Sequence, residues 1–263
     1  MELLGIMGRP EAVAGLVNMP HASPYVVNGF VPTVTFAAHD GEFESTACVY
    51  NYFSDLFPER RSGATAHVWA FDATGECLGH VSDRLPFQGQ TRIGCERFGK
   101  HFFGAIAVSL IPDEPPEKRP AGVGTGYYVQ YRDGAGHIDH SHEWDPMRFK
   151  PMQSVPWLCV VRPRLASTRL VVLNSYFGDD PAAGRSLFAI RLRNHRGEIV
   201  ASHDSLSIPI RGCWKGDLAE IFSELPRLAD QEPLAVDVSG ENVMGPFTVT
   251  RGPGGDFNVH HFC

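Results

Sequence analysis

Five of the chain's twelve histidines fall in two short segments: His137, His140 and His142 in GHIDHSHEW, and His260 and His261 in NVHHFC. Side chains two apart on a strand project to one face, so a strand through the first segment presents His140 and His142 together, with His137 and Asp139 near its start and Glu143 just beyond. Imidazole nitrogen with a carboxylate suits a divalent metal, zinc or non-haem iron, and two histidines plus one carboxylate leave coordination positions open for chemistry. The candidate metal ligands are therefore His137, Asp139, His140, His142, Glu143, His260 and His261, with Cys263 as a further thiolate. A structural reading competes with this one. Histidines at a sheet end are commonly solvated or bonded to backbone, they can serve as polar groups at an interface, and adjacent His260 and His261 point to opposite faces of a regular strand.

These segments are positioned by a duplication. His80 and His203 are 123 residues apart, as are Asn51 and Asn174, Pro86 and Pro209, and Gly89 and Gly212, while Gly75-Glu76 and Gly197-Glu198 are 122 apart; a single-residue gap reconciles them. Further on, Ala105 to Ser109 matches Ala235 to Ser239 at 130, and Arg132 matches Arg251 at 119, with His142 falling on His261. The difference has an address in the first copy, Ile111 to Ala121 (IPDEPPEKRPA), where four prolines and five charges without periodicity mark a surface insertion. His80 and His203, held at this register, are expected to be buried structural histidines bonded to turn carbonyls.

Each copy reads as strands. AHVWAF (Ala66 to Phe71) and LFAIRL (Leu187 to Leu192) are β-branched and aromatic, and each runs through a glycine turn, DATGE or RNHRGE, into a second strand. Pro86 to Gly89 and Pro209 to Gly212 close the next short strand. One helix is expected in the second copy, capped by Asp217, with Leu218, Ile221, Phe222 and Leu225 at helical spacing and Pro226 stopping it. No βαβ alternation is present. The expected fold is all-β: two antiparallel sandwiches or open barrels in tandem, with one or two short helices. Residues 1–24 form an N-terminal extension, 25–150 the first repeat, 151–167 a linker with a leading strand, and 168–263 the second repeat.

In its order of features, an Asn-containing strand, a Gly-Glu hairpin, a Pro-containing strand, a short acidic helix and an apolar strand ending in YYVQYRDGAGHIDH, each copy resembles the small β-sandwich of the sensory rhodopsin transducer family. The second copy lacks the Gln of that closing segment. The resemblance implies a non-enzymatic domain that assembles through its sheets and binds small ligands or partners, and it carries over no functional residue.

Other chemistries are weaker. His137-Ile138-Asp139 is an HxD, and His203 with Arg211 would complete the set of a 2-oxoglutarate-type oxygenase, but those enzymes use one barrel and here the residues fall in different repeats. A cupin reading of HIDHSHE lacks the glycine and second-motif spacings. The chain has no GxSxG, P-loop, GxGxxG or HExxH. GVGTG (Gly122 to Gly126) runs into a strand rather than a helix, so no helix N-terminus cradles phosphate.

With 23 basic and 30 acidic residues, a formal charge of −7 and no run of like charge, nucleic acid is not the expected partner. The N-terminus lacks a cationic start and is broken by Gly8, Pro10, Gly15 and Pro20, so neither a signal nor a membrane helix is expected. Six cysteines without a CxxC pair suggest reduced thiols in a cytoplasmic protein. Two functions fit: a tandem sandwich holding a metal or small molecule where the His-rich segments meet, with metal-dependent catalysis open, or a non-enzymatic scaffold with a protein partner. Either is compatible with a homo-oligomer.

Overall fold

A computed structural model describes residues 23–114, 126–142, 145–153, 157–161, 167–231, 233–243 and 246–261. The chain is predominantly β, with three sheets whose strand pairings are antiparallel. The first half contributes β1 (Thr33–His39), β2 (Phe43–Tyr50), β3 (Ala64–Asp72), β4 (Cys77–Leu85), β5 (Gln90–Gly94), β6 (Phe102–Pro112), β7 (Tyr127–Asp133), β8 (Ile138–Ser141) and the two-residue β9 (Asp145–Pro146). They form one sheet in the order β4-β3-β6-β1-β2-β7-β8, with β5 on β2 and β9 on β1. Among the described residues its two blocks join where His39 pairs with Glu44.

The second half contributes β10 (Trp157–Val161), β11 (Ser167–Leu173), β12 (Ser186–Arg193), β13 (Ile199–Ile208), β14 (Cys213–Asp217), β15 (Leu234–Gly240), β16 (Phe247–Arg251) and β17 (Phe257–His261). These form two four-stranded sheets, β10-β15-β12-β13 and β14-β11-β16-β17. Short helices follow β2 (α1, Phe53–Leu56), β11 (α2, Pro181–Gly184) and β14 (α3, Leu218–Ile221; α4, Leu225–Gln231). Among the described residues no helix is long and apolar enough to cross a membrane.

Burial follows the pattern of each strand. β6 carries an apolar run and is buried along its whole length, the signature of a strand covered on both faces. β4 and β13 alternate or stay exposed as outer strands. Along β11 the faces divide: Val171 and Leu173 join the core of the first half, whereas Leu170 and Val172 belong to a second core with Phe188, Ile190, Val236 and Val238. Phe247, Val249, Phe257 and Val259 also enter the first core, so the sheet β14-β11-β16-β17 is shared between the two.

The glycine hairpins form as the sequence predicts, with one hydrogen-bond pattern. Gly75 N–H donates to the Asp72 carbonyl and Asp72 N–H to that of Glu76; Gly197, Asn194 and Glu198 repeat this. Asp72 Oδ1 accepts from the Thr74 and Glu76 N–H groups, as Asn194 Oδ1 does from Arg196 and Glu198. Asn51 and Asn174 are also used alike, each fully buried and donating from Nδ2 to two carbonyls, of Ser62 and Pro86 in one case and of Gly184 and Ile208 in the other. Asn51→Ala would remove both of these hydrogen bonds and leave a hole where a fully buried side chain stood, an expected loss of roughly 2 kcal/mol, read as a lowered denaturation midpoint.

Three sequence expectations need correction. His80 lies opposite Trp69 but His203 lies opposite Ile190, and both are exposed. Counted from the hairpin turns, Ser202 (opposite Arg191), not His203, stands where His80 stands. The single-residue gap is a β-bulge at Asp204-Ser205, beyond His203. The proline-rich insertion starts later than its composition suggests: Ile111 and Pro112 still pair with Thr65 and Ala64, and Asp113 is bound by Arg84 at 2.6 Å, while residues 115–121 lie outside the described residues. The expected helix after Asp217 is two. Asp217 caps α3 through the Ala219 N–H, but the chain leaves helical geometry at Phe222, and Pro226 sits in the first turn of α4, where its missing N–H costs nothing.

Candidate site at the seam of the two halves

The turn between β7 and β8 is organised by Asp133. Its Oδ1 accepts from the N–H groups of Ala135 and His137, and its Oδ2 meets His137 Nδ1 at 3.1 Å and the Arg251 guanidinium at 3.3 Å. Arg251 comes from β16 of the other half. Its second terminal nitrogen reaches Glu42 at 3.2 Å, and Glu42 also takes Arg169 of β11 at 2.5 Å. The Arg251 guanidinium lies 5.2 Å over the Phe43 ring, which in turn packs 5.2 Å from Phe257. Asp40 and Lys215 extend the pattern at 3.9 Å, with the lysine ammonium over the Phe103 ring. In each of the pairs made by Arg251, Arg169 and Lys215 the acid comes from the first half and the base from the second. Such complementarity fixes the register of a docking interface.

Burial alone pushes the Asp133 carboxyl up, but the His137 ring and backbone N–H and the Arg251 guanidinium overturn that and bring it to about 2. Glu42 behaves likewise: desolvation opposes ionisation, and the hydrogen bonds and charges of Arg169 and then Arg251 hold it below the usual carboxylate range.

The predicted ligands distribute around this seam as follows. His137 is half-exposed beside Asp133. Asp139 points inward on β8 and its Oδ2 accepts the Val259 N–H of β17 at 2.5 Å, so the two His-rich strands do lie side by side. His140 points the other way, exposed, edge-on to Tyr128. His142 is exposed beyond the end of β8, and His260 is exposed on β17. Glu143, the His261 side chain and Cys263 lie outside the described residues. The strand alternation thus separates Asp139 from His140, and among the described residues no three His, Cys, Asp or Glu side chains come together to hold a metal. The chain matches no known family model, and no curated protein is significantly similar to it. What the seam can do follows from its own geometry: its acids are committed to bases or backbone donors, and the His137 imidazole is oriented by a carboxylate that Arg251 also neutralises.

A second histidine group was missed by reading along the chain. His67 Nδ1 lies 3.0 Å from His80 Nε2, and Trp69 stacks on His80 with ring centres 4.7 Å apart. Partial desolvation lowers the pKa of both imidazoles, and the charge of His80 lowers His67 further. The signal was present: His67 and Trp69 share a strand face, and the Gly75 hairpin sets His80 opposite Trp69.

Proposed function

We propose that the chain is a tandem pair of β-sandwiches fused by an ionic seam into one non-enzymatic binding platform of the cytoplasm. The order β1-β6-β3-β4 recurs as β10-β15-β12-β13, and β5-β2-β7-β8 recurs as β14-β11-β16-β17, which supports a duplicated eight-stranded sandwich. The five described cysteines are free thiols, in keeping with a reducing compartment. The resemblance to transducer sandwiches, which assemble through their sheets, points the same way.

The observation that carries this reading is the division of charge at the seam, with Asp40, Glu42 and Asp133 on one half answering Lys215, Arg169 and Arg251 on the other. These groups bind the halves to each other. The metal reading draws on a different feature, the matched register of His142 and His261 at the ends of the neighbouring strands β8 and β17. Metal analysis separates the two. Protein purified from zinc- and iron-replete cultures is expected to hold far less than one equivalent, and His140→Ala with His142→Ala is expected to leave both metal content and thermal stability unchanged. One equivalent of metal that the double variant loses would overturn the platform reading in favour of a metal centre.

A further inference from the structure

The one-residue difference between the two long hairpins lies beside a cleft. In β3–β4 the pairing runs without a shift from Trp69 opposite His80 to Ala64 opposite Leu85. In β12–β13 it slips between Phe188 (opposite Leu206) and Ile190 (opposite His203), so that Ala189 faces two residues, Asp204 and Ser205. Ser205 is held at φ 66°, a left-handed conformation that a serine adopts at a cost. Bulges of this kind re-aim side chains and cluster next to functional sites. Here the bulge borders an open cleft of about 380 Å³ lined by Gln153, Leu187, Arg191, Asp204, Ser205 and Ser239.

The chemistry of the cleft is specific. Arg191 is anchored by one nitrogen to Ser239 Oγ at 2.7 Å, while its other terminal nitrogen stands 3.8 Å from Asp204, an ion pair too long for a hydrogen bond. Asp204 is more than half exposed and is otherwise held by the Ser202 hydroxyl. One cation and one anion, neither saturated by the other, line the same cleft as Leu187, a residue 53% exposed. On the same face of β15 as Ser239, Asp237 is 1% exposed, accepts from the Arg193 guanidinium through Oδ2, and keeps Oδ1 buried without a partner. At the cleft floor β15 approaches β12 so closely that a Cβ on Gly240 would strike the Leu187 carbonyl oxygen.

We propose that this cleft binds a free α-amino acid with an aliphatic side chain. The ligand carboxylate pairs with Arg191, its ammonium with Asp204, and its side chain covers Leu187 and Ala189. A site of zero net charge with separated poles fits a zwitterion better than an anion or a cation alone, because either of those would leave one pole desolvated and unpaired. The corresponding face of the first half has Trp69 where Arg191 stands and no bulge between Trp69 and Ala64, so binding is confined to the second half.

The test is calorimetric titration and thermal melting of the full chain with L-leucine, L-valine and L-methionine, beside N-acetyl-L-leucine, which lacks the ammonium, and isoamylamine, which lacks the carboxylate. At least one of the three amino acids is expected to bind and to raise Tm, and each control to bind about tenfold more weakly or not at all. Asp204→Asn and Arg191→Met are each expected to weaken binding by about tenfold or more while melting close to the parent, since Asp204 is largely exposed. Deletion of Ser205, which restores regular pairing, should abolish binding and leave the protein folded. No heat and no Tm shift from any of the three at about 10 mM, binding by N-acetyl-L-leucine equal to that of leucine, or binding untouched by Asp204→Asn and Arg191→Met would each overturn the proposal.

Discussion

Gly75→Ala is expected to destabilise the protein far more than Gly197→Ala, although the two glycines occupy the same position of the same turn with φ near +80° in both. At Gly197 a methyl group meets open space, so the cost is the left-handed conformation alone, about 1–2 kcal/mol or roughly 2–8 °C in Tm. At Gly75 a Cβ would run into the Ile210 carbonyl oxygen, which belongs to the Pro209–Gly212 turn of the other half. Backbone faces backbone there, so no side-chain rotation relieves the clash. The turns must separate, breaking the hydrogen bond that the Cys213 N–H donates to the Ala73 carbonyl. Adding that loss and the overpacking to the conformational term gives roughly 3 kcal/mol or more, a fall of about 6–12 °C. Thermal melting of the two variants side by side checks it. Equal falls would mean that the turn of the first half does not bear on the second.

The same pair of glycines shows what the sequence discloses. An Asp or Asn opening a turn and a glycine three residues on encode the hairpin locally, through a side-chain oxygen that accepts backbone N–H groups and a backbone that only glycine adopts freely, so both hairpins are legible. The matches at 130 and 119 residues are legible for a similar reason: Ala105 to Ser109 and Ala235 to Ser239 lie in β6 and β15, and Arg132 and Arg251 in β7 and β16. A bulge has no such local code. Asp204-Ser205 reads like any polar strand pair, so the sequence alone sets the gap on the wrong side of His203 and matches the two histidines one residue out of step. Pro226 carries a real signal that admits two readings, since a proline that ends one helix is equally suited to begin another. The two histidine-rich segments do adjoin, β8 meeting β17 at Asp139 and Val259, but the period of two that gathers His140 and His142 also turns Asp139 away from them. The seam itself was beyond reach. Glu42 and Arg251 are 209 residues apart, and nothing in either neighbourhood announces the other.

Arg251→Met should lower Tm at neutral pH by roughly 5 °C or more, because Glu42 and Asp133 both lose a cation to which they are hydrogen-bonded in a part-buried seam. The size of that loss should depend on pH in a particular direction. Both carboxyls have folded-state pKa values below the ordinary carboxylate value near 4, Asp133 at about 2, so their interactions stabilise the fold above about pH 4 and that contribution disappears as pH falls toward 2. Once the carboxyls are protonated, Arg251 has no anion to hold, and its removal costs little more. The parent and the variant are therefore expected to differ most at and above pH 5 and to converge between about pH 4 and pH 2. Glu42→Gln should behave as a partial version of the same change, since Asp133 retains His137 and Arg251. Melting curves for the three proteins at pH steps from 7 to 2 make the comparison, with far-UV circular dichroism confirming that each is folded before heating. A gap between parent and Arg251→Met that stays constant down to pH 2 would show that the arginine acts there through its packing on Phe43 and Phe257 and not through the two carboxylates.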